Sequence, residues 1–139
     1  MSVKRPLSIS PVMDWLSQYI ASAPRKALPP APLEATRHHV LDTIAAMVSG
    51  AKLLPGKMAI SYARTLGGRP EATVVGSCVL TSVVNAALAN GMSAHADETD
   101  DSHAASVTHP GCGIVAAALA LAERERRSGS EMLRAVALG

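Results

Sequence analysis

Residues 90 to 113 contain most of the side chains in this chain that could do chemistry. The stretch reads NGMSAHADETDDSHAASVTHPGCG, and its carboxylates and imidazoles are those of His95, Asp97, Glu98, Asp100, Asp101, His103 and His109. Carboxylates that lie side by side repel one another and raise one another's pKa values, so a cluster of this kind is costly to maintain. The density of these groups favours a chemical site. The alternative is an acidic, solvated loop between two helices.

Histidines and carboxylates are common metal ligands, but the spacing here matches no stereotyped metal site. An EF-hand loop beginning at Asp97 would need glycine at the position that Ser102 occupies. A zinc deaminase would need a His-x-Glu and a Pro-Cys-x-x-Cys motif, and the stretch contains neither. A less regular Mg²⁺ or Mn²⁺ site formed by Asp100, Asp101 and His103 remains an alternative.

Acid–base chemistry is the stronger prediction for this stretch. His109 precedes Pro110, Gly111 and Gly113, in what should be the first turn of an apolar helix. The free N–H groups and the positive dipole end of such a turn attract anions. A substrate carboxylate bound there would lie beside an imidazole that can transfer a proton near neutral pH. The alternatives are a His109 that only bonds the backbone and glycines that only allow close packing.

The flanking sequence predicts helices that would hold this stretch. Apolar residues recur at helical spacing in several segments, separated by proline and glycine. The predicted helices start at Pro11, run from Pro32 to near Gly50, over 57–66, over 81–94 and over 110–127, and start again with Ser130 as the cap. Residues 72–76 form the only predicted strand, which is too short to found a sheet. The fold class is therefore predicted to be all-α, a helical bundle-like domain.

Two of these helices carry further expectations. His38 and His39 lie in the second helix and are predicted to be structural or surface residues, because no acid or thiol stands at ligand spacing from them. The helix over 110–127 is apolar on nearly all sides and is predicted to be central and buried. The last helix has an apolar side that consists of Met132, Leu133, Val136 and Leu138. No later part of the sequence remains to cover this side.

Composition narrows the function classes. Hydrophobic residues make up 48% of the chain and aromatic residues only 2%, so the core must be built from small and aliphatic side chains. No basic run could form a nucleic-acid-binding stripe. Residues 1–69 have a net charge of 9 − 3 = +6 and residues 70–139 of 4 − 8 = −4. These halves could face each other within one chain or across a subunit interface.

Cysteine usage and the N-terminus indicate the compartment. Cys78 and Cys112 form no CxxC pair and no disulfide framework, which suits a reducing environment. The N-terminal MSVKRPLSISP lacks the continuous apolar region of a secretory signal. The uncharged stretches are interrupted by polar residues or are too short to cross a bilayer. We therefore expect a cytoplasmic protein that binds neither nucleic acid nor membrane.

The run NGMSAHADETDDSH followed by THPGCGIVAAALALAE closely resembles the N-terminal helical domain of the MmgE/PrpD family. This family includes 2-methylcitrate dehydratase of propionate metabolism, cis-aconitate decarboxylase and iminodisuccinate epimerase. The segments HHVLDTIAAMVSGA and SGSEMLRAVALG are similar to the same domain. The resemblance implies a homodimeric lyase without cofactor or metal that removes a proton next to a carboxylate of a small di- or tricarboxylate. It also implies a second, smaller α+β lid domain.

The family's loop usually reads His-Ala-Leu-Asp-Phe-Asp-Asp-Thr-His. The matching positions are His95, Ala96, Asp100, Asp101 and His103. Glu98 replaces the first Asp and Ser102 replaces the Thr, both of which belong to the family's active site, and His109 matches its catalytic histidine. The resemblance therefore implies two groups of site residues. The catalytic group is His109, Glu98, Ser102 and Asp101, and the substrate-binding group is His103, Gly111 and His95.

The acidic loop also raises a problem of charge. Its carboxylates would repel a tricarboxylate, and no Lys or Arg lies near them in the sequence. The resemblance implies that basic residues come from downstream segments. Residues 1–139 are thus expected to be a partial N-terminal domain without the lid, inactive alone, that dimerises or pairs with a chain carrying the rest of the fold. The alternatives are a non-enzymatic helical oligomerisation fragment and a hydrolase domain that binds a divalent metal.

Overall fold

Six α-helices and one very short β-hairpin form the part of the chain that the computed structural model describes, residues 9–139. The N-terminal segment was predicted not to be a secretory signal, and most of it, residues 1–8, lies outside the described residues. The elements are α1 (Pro11–Ser22), a short 3₁₀ helix (Ala23–Arg25), α2 (Pro30–Gly50), α3 (Leu54–Leu66), β1 (Ala72–Thr73), β2 (Leu80–Thr81), α4 (Val83–Ala94), α5 (Pro110–Arg124) and α6 (Gly129–Leu138). The predicted all-α class is confirmed.

Serine side chains cap three of the helices. Ser10 accepts a hydrogen bond from the Met13 N–H at 3.2 Å, as its position before Pro11 predicted. Ser128 caps α6 and forms a reciprocal capping box with Glu131. The prediction that Ser130 caps this helix is therefore wrong, because Ser128 stands three residues before a glutamate that can bond back to it.

Several helix boundaries differ from the predicted ones by two to three residues. Helix α2 begins at Pro30 rather than Pro32, because a proline costs little in a first turn whose N–H groups have no intrahelical partner. Helix α3 begins at Leu54, with Pro55 in its first turn, and ends at Leu66, followed by Gly67, whose φ of 62° suits glycine. Helix α5 ends at Arg124 rather than at residue 127.

The predicted strand over 72–76 is formed only in part, as a two-residue strand paired with a second strand that was not predicted. Ala72 pairs with Thr81 in antiparallel register. Buried Asn90 on α4 fixes this hairpin, because its side chain accepts from the Val75 N–H at 2.8 Å and donates to the Thr73 carbonyl at 3.0 Å. The hairpin therefore attaches to α4 through hydrogen bonds.

The core consists of two apolar clusters built from small side chains, as composition predicted. One joins α3, α4 and the hairpin, and Ala63, Val74 and Ala86 are among its members. The other joins α2, α4 and α5 around Met47 and Val115. Helix α4 contacts α2, α3 and α5, so the element that leads into the acidic loop lies between the two clusters.

Helices α5 and α6 are covered differently from the prediction. Helix α5 is buried along Val115, Ala116 and Ala120, but Leu121 on its other side is 46% exposed. The predicted central, buried helix is therefore buried on one side only. On α6, Met132, Leu133 and Val136 pack against the second cluster. The expectation that the apolar side of this helix would have no cover is therefore wrong for these three residues.

Helix α1 contributes nothing to the core. It has no buried residue, and its Trp15 and Tyr19 rings stack on each other with centroids 6.0 Å apart. Among the helices formed by residues 9–139, none combines the length and apolar character needed to span a bilayer.

The close approach of α2 to α4 requires glycine at one position. A Cβ atom added to Gly50 would overlap the Ser93 carbonyl oxygen and would lie 2.9 Å from the Ala96 Cβ. Gly50 ends α2, and Ser93 lies in the last turn of α4. This contact therefore fixes the point at which the chain leaves α4 for the acidic loop.

We expect Gly50→Ala to lower the free energy of unfolding by about 1–3 kcal/mol, because the methyl group meets backbone that cannot rotate away. Urea unfolding followed by circular dichroism measures the change. Gly113→Ala is the matched control, since an added Cβ at Gly113 has no heavy atom within 4 Å. The control should be neutral or raise stability by up to about 1 kcal/mol. Equal stability of the two variants would contradict the close contact.

Candidate active site

Two histidines stand at facing helix ends on either side of the acidic loop. His95 is the C-cap of α4, and His109 is the N-cap residue of α5. These two helices pack closely against each other, which brings the two rings to a centroid separation of 4.8 Å with an interplanar angle of 58°. Packing of α4 on α5 therefore positions both imidazoles.

Asp100 lies between these histidines, and its side chain is fully buried. Its Oδ1 is 3.1 Å from the His95 Nδ1 and 3.2 Å from the His109 Nδ1. The His109 Nδ1 is also 3.4 Å from the Asp100 carbonyl oxygen. Since both described groups that face the His109 Nδ1 are acceptors, this geometry favours a proton on Nδ1 and leaves Nε2 unprotonated in the neutral ring. We call these three residues the His95–Asp100–His109 cluster.

Cys112 borders this cluster from the first turn of α5. Its thiol donates to the His109 carbonyl at 3.0 Å. Burial raises the pKa of Cys112, and the negative charge of nearby Asp100 raises it further. The thiol is therefore a reporter of the charge on Asp100.

The neighbouring acid, Asp101, has different partners. Its Oδ1 accepts from the Gly111 N–H at 2.8 Å, and its Oδ2 is 3.4 Å from the His39 Nδ1. Buried Thr43 lies beneath, and a Cβ added to Gly111 would overlap the Asp101 Oδ1 and lie 2.6 Å from the Thr43 Oγ1. Glycine at 111 is thus needed for this close approach. Because Asp101 occupies the Gly111 N–H, that group is not a free donor for a substrate carboxylate.

A cleft of about 460 Å³ opens beside Asp101. Ser102, His103, Gly111 and His39 also line it. His103 is oriented by a short chain of hydrogen bonds, with its Nδ1 2.7 Å from the Ser106 Oγ. The cleft is therefore a polar-edged cavity of a size that suits a small organic molecule.

The start of the loop is fixed by Asp97 rather than by Glu98. Asp97 accepts from the Thr99 hydroxyl at 2.7 Å and from the Ser49 hydroxyl at 3.2 Å, and the bond from Thr99 is the main cause that lowers the pKa of Asp97. Glu98 is exposed and has a φ of 55°, a conformation uncommon for residues other than glycine, asparagine and aspartate. Within residues 9–139, its carboxylate makes no hydrogen bond or ion pair.

The predicted site residues therefore fall into separate groups. His109 and His95 lie in the His95–Asp100–His109 cluster, whose buried member is Asp100, and Glu98 lies neither in this cluster nor along the cleft. The residues along the cleft are Asp101, Ser102, His103 and Gly111. The sequence did not predict that Asp100 would contact both His95 and His109, or that His39 would pair with Asp101. Asp100 carried a signal, since it matched the family's loop, whereas no local spacing linked His39 to an acid on a distant segment.

The structure brings together a different set of possible metal ligands from the set considered from the sequence. Within the part of the chain that the structure describes, the one group of three ligand-type residues compact enough for an ion is His95, Asp100 and His109, whose ligand atoms lie within 4.8 Å of one another. Asp100, Asp101 and His103, the set considered from sequence, do not form such a group, because the two acids have different partners.

Comparison with known proteins gives one family. The model of the MmgE/PrpD N-terminal domain matches residues 14–139. No curated protein and no solved structure matched the chain.

We expect Asp100→Asn to lower the pKa of Cys112, because it removes a negative charge that disfavours the thiolate. The measurement is the pH dependence of iodoacetamide alkylation in a Cys78→Ser background, in which Cys112 is the only thiol. Its midpoint should move to lower pH. Asp97→Asn, in the same loop, is the control and should leave the midpoint unchanged. An unchanged midpoint in folded Asp100→Asn would contradict a charged Asp100 beside the thiol.

Proposed function

Because the chain belongs to the MmgE/PrpD family, we propose that it supplies the proton-transfer part of a lyase active site for a small di- or tricarboxylate. The observation that carries the proposal is the His95–Asp100–His109 cluster. It holds one imidazole nitrogen of His109 against a buried carboxylate oxygen and leaves the other nitrogen for chemistry.

The arrangement is suited to general acid–base catalysis. An imidazole whose Nδ1–H is held by a carboxylate has a fixed ring orientation and a basic Nε2. In the proposed reaction, the His109 Nε2 removes a proton from the carbon next to a carboxylate. The electron pair of that C–H bond then forms a carbon–carbon double bond as the C–O bond breaks, and the proton held by the His109 imidazolium passes to the leaving hydroxyl group to give water. Decarboxylation or reprotonation on the other face would begin from the same proton-transfer chemistry.

The other family site positions take substrate-binding or supporting roles in this proposal, and His109 precedes Pro110 and Gly111, which line the cleft. Ser102 and His103 line the cleft and contact the substrate, and Asp101 supports them through its bonds to Gly111 and His39. His95 shares the Asp100 carboxylate and keeps it in place. Glu98 is proposed as a substrate contact because it stands at an acidic position of the family's active site.

The proposal extends to the setting of the protein. We propose a cytoplasmic homodimer that uses neither metal nor other cofactor and that binds neither nucleic acid nor membrane. Support comes from its two unpaired cysteines, exposed Cys78 and half-buried Cys112, which suit a reducing compartment. The exposed apolar face of α1, which includes Trp15 and Tyr19, is consistent with a subunit contact.

We expect His109→Asn to reduce turnover of 2-methylcitrate by about 10²-fold or more in the complete enzyme bearing this segment, because it removes the proton acceptor. Circular dichroism should show an unchanged helical fold. His38→Asn is the matched control, since His38 is exposed and pairs only with Glu34 among the described residues. Turnover by His109→Asn equal to that of the control would exclude His109 as the acid/base.

A divalent-metal hydrolase is the second candidate, favoured by the ligand set of the His95–Asp100–His109 cluster. Isothermal titration calorimetry of the chain with Mg²⁺, Mn²⁺ and Zn²⁺ separates it from the lyase. We expect no saturable heat with any of these ions. Saturable heat that disappears in Asp100→Asn would favour the metal candidate instead.

A further inference from the structure

The cleft beside Asp101 has an unusual lining for a site that binds carboxylates. Among the side chains that the structure describes, no Lys or Arg lines it, and its basic lining residues are His39 and His103. A small polycarboxylate needs positive or hydrogen-bond-donating partners, particularly beside an acid such as Asp101. Among the described residues, these two histidines are therefore the groups in the cleft best able to bind a carboxylate.

His39 has the geometry expected of such a group. Its Nδ1 lies 3.4 Å from the Asp101 Oδ2, and Asp101 is itself held by the Gly111 N–H. The backbone of His39 is tied by the hydroxyl of buried Thr43, which donates to the His39 carbonyl at 2.8 Å. The ring is still accessible, since 56% of its side chain is exposed. One edge of this imidazole is therefore held while the other can meet a ligand.

The adjacent histidine shows that this arrangement is specific to position 39. His38 is 74% exposed, and its Nε2 lies 3.5 Å from Glu34 on the same helix. It does not line the cleft. Two consecutive histidines on α2 thus have different surroundings, one in the cleft and one at the surface.

Apart from Thr36, the remaining side chains that line the cleft are apolar. Ile114, Val115 and Val136 from α5 and α6 are among them. A cavity with an imidazole edge and an aliphatic wall matches a small acid that has carboxylates at one end and a hydrocarbon part at the other.

We propose that His39 is a substrate-contacting residue of this site. As an imidazolium it donates its Nδ1–H to Asp101, the positioning residue, and its Nε2–H to one carboxylate of the small acid. The ring of His103 binds the same ligand from the loop. The substrate class rests on the proposed function, but the contact itself is a binding event that can be measured without turnover.

The test uses citrate as the probe and the chain labelled with ¹⁵N-histidine. Citrate should shift the side-chain signals of His39 and His103 in long-range ¹H–¹⁵N spectra and leave those of His38 unchanged. His39→Asn should weaken citrate binding by about tenfold, the loss expected for one hydrogen bond to a charged group. His38→Asn should bind citrate as the unmodified chain does, and urea midpoints report whether both variants stay folded.

Failure of this inference is distinct from failure of the lyase proposal. No citrate binding by the unmodified chain, or unchanged binding by folded His39→Asn, would overturn the role of His39 whatever His109 does. Citrate binding that depends on His39, together with full turnover by His109→Asn in the complete enzyme, would instead retain the carboxylate site and remove the proposed proton transfer.

Discussion

The site depends on one buried carboxylate placed between two helix ends. Asp100 has no exposed side-chain surface, and a carboxylate removed from water without partners would cost several kcal/mol. The two facing Nδ1 atoms of His95 and His109 offset part of this cost, because both can donate to the same oxygen. The imidazoles reach it only because α4 and α5 pack side by side. Helix packing and site chemistry are therefore coupled at this residue.

The two side-chain oxygens of Asp100 have different surroundings, since Oδ1 contacts both histidines and Oδ2 does not. Within the described residues, the Asp100 Oδ2 is buried and has no hydrogen-bond partner, which is unusual for a carboxylate oxygen. Asp101, the next residue, has both oxygens engaged by Gly111 and His39. The two neighbouring acids therefore have different roles. Asp100 contacts the imidazoles at the helix ends, and Asp101 joins the loop to α2 and α5.

Local rules predicted much of the fold and part of the site. Proline and glycine punctuation located the helices, and the His-Pro start of α5 marked His109 correctly as a helix-entry residue. The second hairpin strand was missed, because its pairing depends on tertiary packing. The Ser128 cap was missed although the Ser-x-x-Glu spacing to Glu131 is a local signature of a capping box. The small side chains of the core were evident from composition, whereas the exposure of Leu121 depends on which faces of α5 its neighbours cover.

The roles of the acids could not be read from spacing alone. Seven carboxylates and imidazoles in one stretch predicted chemistry, but adjacent residues in a loop can have unrelated partners. Burial of Asp100 and the contact of Asp101 with His39 follow from the packing of α2, α4 and α5. Gly111 illustrates the same limit, since its N–H was expected to meet a substrate and instead meets Asp101.

The most direct test of this account is the tautomer of neutral His109, read from long-range ¹H–¹⁵N spectra of the chain above the pH at which the ring titrates. The account predicts a proton on Nδ1, held by Asp100, and an unprotonated Nε2. A proton on Nε2, with Nδ1 unprotonated beside the carboxylate, would contradict it.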